Sequence, residues 1–205
     1  IIQSSSATTV MVVSFVNAGL LSLPQAIGVI FGANIGTTII AWIVSILGFQ
    51  IKISHIALPA IGLGFFLYIM KKWNRQDLGE TILGFGLLFL GLDLLTQSMP
   101  PIDPTHLGFL SKVEAHWALS LLVGVLVGTF ITILIHSSSA STAIFLTLAH
   151  QGYIRFELAA ACILGANIGT TIDAILASFN TKANAKRAAL VHTLFNVFGN
   201  IWVIL

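Results

Sequence analysis

Gln3-Ser4-Ser5-Ser6-Ala7-Thr8-Thr9 and Gly32-Ala33-Asn34-Ile35-Gly36-Thr37-Thr38 are each written twice in this chain of 205 residues. The first returns as His136-Ser137-Ser138-Ser139-Ala140-Ser141-Thr142. The second returns unchanged as Gly165-Ala166-Asn167-Ile168-Gly169-Thr170-Thr171, and both recur 133 residues later. The duplication is ungapped from residue 3 to 39 against 136 to 172, and 16 of its 37 positions are identical. Its best-kept positions are small hydroxyl, amide and glycine residues in an apolar background.

The environment follows from composition. The chain is 57% hydrophobic and 8% charged, with a mean hydropathy of +0.99, where a soluble domain carries about 25% charged residues. Its solvent is therefore mostly lipid, and it reads as an integral membrane protein. The nine Lys and Arg form no long run, and the net charge is +2, so no basic groove for nucleic acid can be drawn. The lone Cys162 excludes an internal disulfide and reads as a small buried hydrophobe. Repeated polar residues in such a chain are what a transporter with a binding site at a repeat interface needs.

A spanning helix takes ~20 apolar residues. Apolar segments fall at about 4–16, 25–48, 53–70, 79–98, 117–135, 137–149, 157–179 and 188–205, parted by polar or Pro-bearing stretches. No alternation of period two is sustained, so the class is all-α. Segments 4–16 and 137–149 are too short to span and both open on the serine strings, which predicts arms of re-entrant hairpins. The second serine string follows the apolar run Trp117 to Ile135, while the first follows only two residues. A further helix is therefore expected upstream of residue 1, and Leu205 is expected to cut another. The expected domains are a first repeat at 1–98, an external linker at 99–116 and a second repeat at 117–205.

Charge sets orientation. Loop 71–78 carries Lys71, Lys72 and Arg75, and loop 180–187 carries Lys182, Lys186 and Arg187, while the loops near Lys52 and Lys112 carry one cation each. The first two loops are then cytoplasmic. The loop after the first Gly-Ala-Asn-Ile-Gly segment falls outside and the loop after the second falls inside, so the repeats are inverted. Arg155, in the turn 150–156, fits neither side cleanly.

Quoted together, the duplicated Gln-Ser-Ser-Ser-Ala and Gly-Ala-Asn-Ile-Gly-Thr-Thr strings resemble the type II sodium/phosphate cotransporter family, over nearly the whole chain. The resemblance implies a multi-pass protein of the plasma membrane, the bacterial inner membrane, with two inverted-topology repeats, re-entrant helical hairpins and broken helices. It implies import of inorganic phosphate by alternating access, with Na+ as the co-transported ion, no enzymatic activity, lipid as surroundings, and a homodimer allowed. Matched residue by residue, phosphate falls to Ser4, Ser5, Ser6, Ser137, Ser138, Ser139, Asn34 and Asn167. Sodium falls to Gln3, Thr37, Thr38, His136, Thr170 and Thr171. His136 is a departure, standing where the first copy and the family pattern have Gln.

Residue chemistry points the same way. Serines opening short helices offer hydroxyls and free N–H groups to an oxyanion, aided by the helix dipole. No Lys or Arg lies in either motif, which leaves bound cations to neutralise a phosphate. Sodium accepts oxygen ligands, and glycines flanking Ala-Asn-Ile permit an unwound turn whose carbonyls, with Asn amides and Thr hydroxyls, supply them. The plainer alternative is that Gly, Ser and Thr let helices pack closely. Asp173 is ionisable and well inside the membrane, where it adds charge to a cation site or carries a proton, the plainer alternative being a locally paired structural carboxylate. His192, Asn196 and Asn200 make a stripe at i, i+4 and i+8, read as glue between helices ahead of ligand contact. Asp93 is read as interfacial.

Gln97, Asp103, His106, Glu114 and His116 are read with a solvated loop that has no recognised metal-ligand spacing. A serine hydrolase built on Ser137, His136 and Asp173 fails because adjacent Ser and His do not make a nucleophile–base pair and the first copy has neither His nor Asp. A channel normally takes its symmetry from several chains. A sodium-coupled transporter of dicarboxylate or sulfate is the remaining alternative, and only the resemblance favours phosphate over it.

Overall fold

A computed structural model describes residues 4–48, 53–70, 75–98 and 117–204. Gln3, Lys52, Lys71, Lys72 and the linker 99–116 lie outside the described residues. Among these residues there is no strand. The helices are α1 (Ser5–Ala18), α2 (Leu23–Ile43, followed by a π-helical turn Val44–Gly48), α3 (Ile53–Ile69), α4 (Gln76–Ser98), α5 (Trp117–Ile135), α6 (Ser138–His150), α7 (Phe156–Gly169), α8 (Thr171–Ser178) and α9 (Ala183–Ile204). Among the described residues, four stretches are long and apolar enough to cross a membrane: Leu23–Ile46, Gln76–Leu95, Phe156–Ser178 and Ala183–Ile204.

The duplicated serine strings form duplicated helix starts. Ser4 is extended (φ −138°, ψ 109°) and its hydroxyl oxygen accepts the Ala7 N–H at 3.1 Å. Ser137 (φ −148°, ψ 105°) accepts the Ala140 N–H at 3.2 Å. Each satisfies one of the donors that a first turn leaves unpaired. The stops are duplicated too. Gly19 (φ 77°) and Gly152 (φ 79°) take the left-handed conformation that glycine adopts without strain. Beyond them the N–H of Leu20 reaches Phe15 O at 2.9 Å and that of Tyr153 reaches Leu148 O at 3.0 Å, the closing bond of a Schellman turn.

Packing divides the chain into two compact units, residues 1–41 with 103–205, and residues 42–102. In the second unit α3 and α4 lie antiparallel, with Gly79 where a Cβ would come within 2.5 Å of the Tyr68 backbone nitrogen.

In the larger unit, Val12, Val13 and Val16 of α1 bury against Ala26 and Ile30 of α2, Ala174 of α8, and Ala185, Ala188 and Ala189 of α9. α6 packs instead on α7, through Phe145, Leu158 and Cys162. Lipid supplies little hydrophobic drive between helices, so close approach of small residues has to hold them. At the α5–α7 crossing a Cβ on Gly128 would strike the Cys162 carbonyl and one on Gly165 the Val125 carbonyl. The same crossing has a bond from Thr129 Oγ1 to Gly165 O at 3.0 Å. The Lys182 N–H donates to Asn17 Oδ1 at 2.9 Å, tying the end of α1 to the α8–α9 turn.

One expectation is corrected. The turn expected to unwind at the first Gly-Ala-Asn-Ile-Gly is continuous helix within α2, and its second copy is helical through Gly169 with a break only at Thr170, itself αR (φ −59°, ψ −25°). Side chains of the motif bond back to carbonyls one turn earlier, which leaves helical backbone in place. Gln97, grouped above with the external loop, lies on α4 and donates from Nε2 to Asp93 Oδ2 at 2.8 Å.

Candidate functional site

A cavity of about 300 Å³ opens between α2, α6, α7 and α9. Its polar lining is Asn34, Thr37 and Thr38 from α2, Thr142 from α6, Asn167 from α7 and Asn196 from α9. Both copies of Gly-Ala-Asn-Ile-Gly-Thr-Thr therefore reach one space. No Asp, Glu, Lys, Arg or His is among the described residues that line it.

Local bonding inside the motif repeats as faithfully as the sequence. Thr37 Oγ1 donates to Ala33 O at 3.0 Å and Thr170 Oγ1 to Ala166 O at 3.0 Å. Thr38 Oγ1 donates to Ile35 O at 2.7 Å and Thr171 Oγ1 to Ile168 O at 2.8 Å. Burial does not repeat. Thr170 and Thr171 are buried and stand off the cavity, while Thr37 is half-buried, Thr38 is exposed, and both line it. Asn34 Nδ2 donates to Ile30 O at 3.0 Å, and Asn196 Nδ2 to His192 O at 2.9 Å.

The serines of the two strings sit at the starts of α1 and α6, and none of them lines the cavity. Their burial pattern agrees between copies, with Ser5 and Ser138 buried and Ser4, Ser6, Ser137 and Ser139 half-buried. The last residue of the second string is different in placement: Thr142 faces the cavity, whereas its first-copy equivalent Thr9 is fully buried, its hydroxyl without a protein partner among the described residues.

His136 and Asp173, each assigned singly to sodium from the sequence, touch one another. His136 Nδ1 and Asp173 Oδ1 are 2.7 Å apart, with the imidazole 58% and the carboxylate 16% exposed. His136 takes a left-handed φ of 57° between α5 and α6, rare for a residue with a Cβ. First-copy equivalents are Gln3 and Ile40, so the pair belongs to the second copy alone.

The His192, Asn196, Asn200 stripe splits into three roles. Asn200 Nδ2 binds Leu164 O of α7 at 2.9 Å, as glue does. Asn196 lines the cavity. His192 is fully buried, and neither ring nitrogen has a partner among the described residues. Sequence reading missed Thr142 and Phe195 in the lining. For Thr142 a signal existed, since it closes the duplicated serine string.

A multi-spanning helical protein with a polar cavity that gathers two copies of a motif has the architecture of a membrane transport protein. The chain belongs to the Na+/Pi-cotransporter family, whose model matches residues 1–97 and 109–202. It is 33% identical over 204 residues to the Escherichia coli K12 protein named "Putative inorganic phosphate export protein YjbB", covering 100% of this chain and 36% of that one. It is 32% identical over 199 residues to the Bacillus subtilis protein YqeW, covering 97% of this chain and 62% of that one. A shorter match, 41% identical over 85 residues, joins 40% of this chain to 14% of the rat sodium-dependent phosphate transport protein 2C. The chain thus spans about a third of the length of YjbB. No solved structure matches.

Proposed function

We propose that the protein is a sodium-coupled carrier of inorganic phosphate, working by alternating access between two inverted repeats with re-entrant hairpins in the plasma membrane. The observation that carries this reading is the cavity on which Asn34, Thr37 and Thr38 of one motif copy converge with Asn167 of the other. A site made from both copies changes sides when the copies rock against each other, which is the motion a carrier needs. Phosphate is held by the N-termini of α1 and α6, with Ser4 to Ser6 and Ser137 to Ser139 donating from hydroxyls and first-turn N–H groups. Sodium is held by motif oxygens near Thr37, Thr38, Thr170 and Thr171 and by the second-copy pair His136 and Asp173. An inward sodium gradient drives import.

Export is the second reading, favoured by the printed name of YjbB, a relative aligned along all of this chain. Radiolabelled phosphate flux in proteoliposomes, with the sodium gradient set inward, outward or absent, separates the two. Import expects inward flux that follows the inward gradient and falls in Ser5→Ala and Ser138→Ala. Flux indifferent to sodium removes the coupling, and flux of sulfate or succinate with no phosphate removes the substrate.

A further inference from the structure

Glycine recurs at every fourth position along α2, as Gly28, Gly32 and Gly36, and nothing lies within 4 Å of a Cβ built on any of them. With Val29 they form an exposed stripe on a stretch long and apolar enough to cross a membrane. At about 100° per residue the stripe lies on the side of α2 opposite Asn34, Thr37, Thr38 and Ala41, which line the cavity. Glycines spaced in this way on a spanning helix let a second backbone come close, which is how helices associate in lipid.

The internal duplication supplies the second observation, because the other copy of the stripe is occupied. Gly28, Val29, Gly32 and Gly36 correspond, 133 residues on, to Ala161, Cys162, Gly165 and Gly169 of α7. All four of these are buried, and α5 covers them. A Cβ on Gly124 would come within 2.6 Å of Ala161 Cβ, one on Gly128 meets the Cys162 carbonyl, one on Gly165 the Val125 carbonyl, and one on Gly169 would come within 2.5 Å of Thr129 O. In sequence α5 leads into the second serine string, and its last two residues, Leu134 and Ile135, correspond to Ile1 and Ile2 before the first.

We infer that the Gly28, Gly32, Gly36 face of α2 is the docking surface for an apolar helix of the same protein, one that leads into the first serine string from before residue 1 and packs on α2 as α5 packs on α7. The offset of 133 fixes the register: the counterpart of Gly124 stands ten places before Ile1 and that of Val125 nine places before it. Such a helix backs α2 on the side away from the cavity, as α5 backs the α7 that carries Asn167 to the cavity wall. Both copies of the motif are then braced from behind by the helix that precedes their own serine string. This holds whichever ion or anion the protein carries.

The test is made in the full-length protein in its membrane. Cysteine replaces Gly28 and the residue ten places before Ile1, and Gly124→Cys with Ala161→Cys is the matched pair in the second copy. After oxidation with copper phenanthroline, mass spectrometry of peptides is expected to find an intrachain disulfide in both pairs. Thermal unfolding of the purified protein then compares Gly32→Leu with Gly199→Leu. Overpacking is expected to lower the Gly32→Leu midpoint by roughly 5–10 °C, while Gly199→Leu, on an open face of α9, leaves it in place. A disulfide joining two copies through Gly28→Cys alone overturns the inference, since the face then belongs to a second copy. No disulfide in the first pair, an unmoved midpoint in Gly32→Leu, or a full-length protein with no apolar helix before residue 1 overturns it as well. If Gly32→Leu does not fold, the disulfide decides, because cysteine at position 28 takes the place that Ala161 fills in the other copy.

Discussion

Replacing Gly165 by Ala places a Cβ against the Val125 carbonyl oxygen, with Val125 C and Cα both 2.8 Å away. These are backbone atoms of α5, so no side-chain rotation relieves the overlap and α5 and α7 must move apart. That movement also stretches the Thr129 Oγ1 to Gly165 O bond, 3.0 Å in the native packing. Overpacking of a close-packed contact costs about 1–3 kcal/mol, and an interhelical hydrogen bond in a membrane averages about 0.6 kcal/mol. The expected loss is therefore about 2–3 kcal/mol. Gly199→Ala on α9 is the control, because nothing lies within 4 Å of a Cβ there and Ala is the better helix former by about 1 kcal/mol. Thermal unfolding of the purified full-length protein is the assay. Gly165→Ala should lower the midpoint by roughly 5–10 °C at the 2–4 °C per kcal/mol of a chain this size, and Gly199→Ala should not lower it. A Gly165→Ala midpoint within about 1 °C of wild type, or an equal loss in Gly199→Ala, would refute the close α5–α7 contact.

Ser4→Ala and Ser137→Ala each remove a cap of nearly identical geometry and should each cost about 1 kcal/mol in thermal unfolding; losses that differ by more than that would show that the two helix starts are not equivalent. A double-mutant cycle of His136→Gln with Asp173→Asn should give a coupling below about 1 kcal/mol, because the imidazole is 58% exposed and solvent screens the pair; strict additivity would mean that the two do not interact. Phe31 and Phe195 stack with centroids 4.4 Å apart beside the cavity, so their Leu double-mutant cycle should show about 0.5–1.5 kcal/mol of coupling. Stability losses that simply add would rule that contact out.

Helix limits were largely legible before any coordinates. Serine strings mark the starts of α1 and α6 because a Ser hydroxyl can cap a first turn, while the ends at Gly19 and Gly152, which take a positive φ, came from the structure. The apolar run from 117 to 135 coincides with α5. Glycines around Ala-Asn-Ile were misleading, since Thr and Asn bonds back to carbonyls are compatible with helix as well as with an unwound turn. Along α9, one spacing covered three fates: His192 is buried, Asn196 faces the cavity and Asn200 binds α7. Periodicity places residues on a face of a helix but cannot say which neighbour meets each point of that face. For the same reason no local pattern predicted the contact of His136 with Asp173, 37 residues apart.

The sequence by itself determined that the chain is helical, that it lives in lipid, and that two copies of a polar motif share one local conformation. Each of those follows from composition or from bonds within a few residues, and the matching caps and Thr bonds of the two copies have nearly the same lengths. Tertiary structure alone decided what each copy does. Gly165 lies hard against α5, while nothing lies within 4 Å of a Cβ on Gly32, the same residue of the same string. Identical neighbours in the chain set identical turns, but burial, the cavity wall and the His136–Asp173 pair depend on which distant helix arrives beside them.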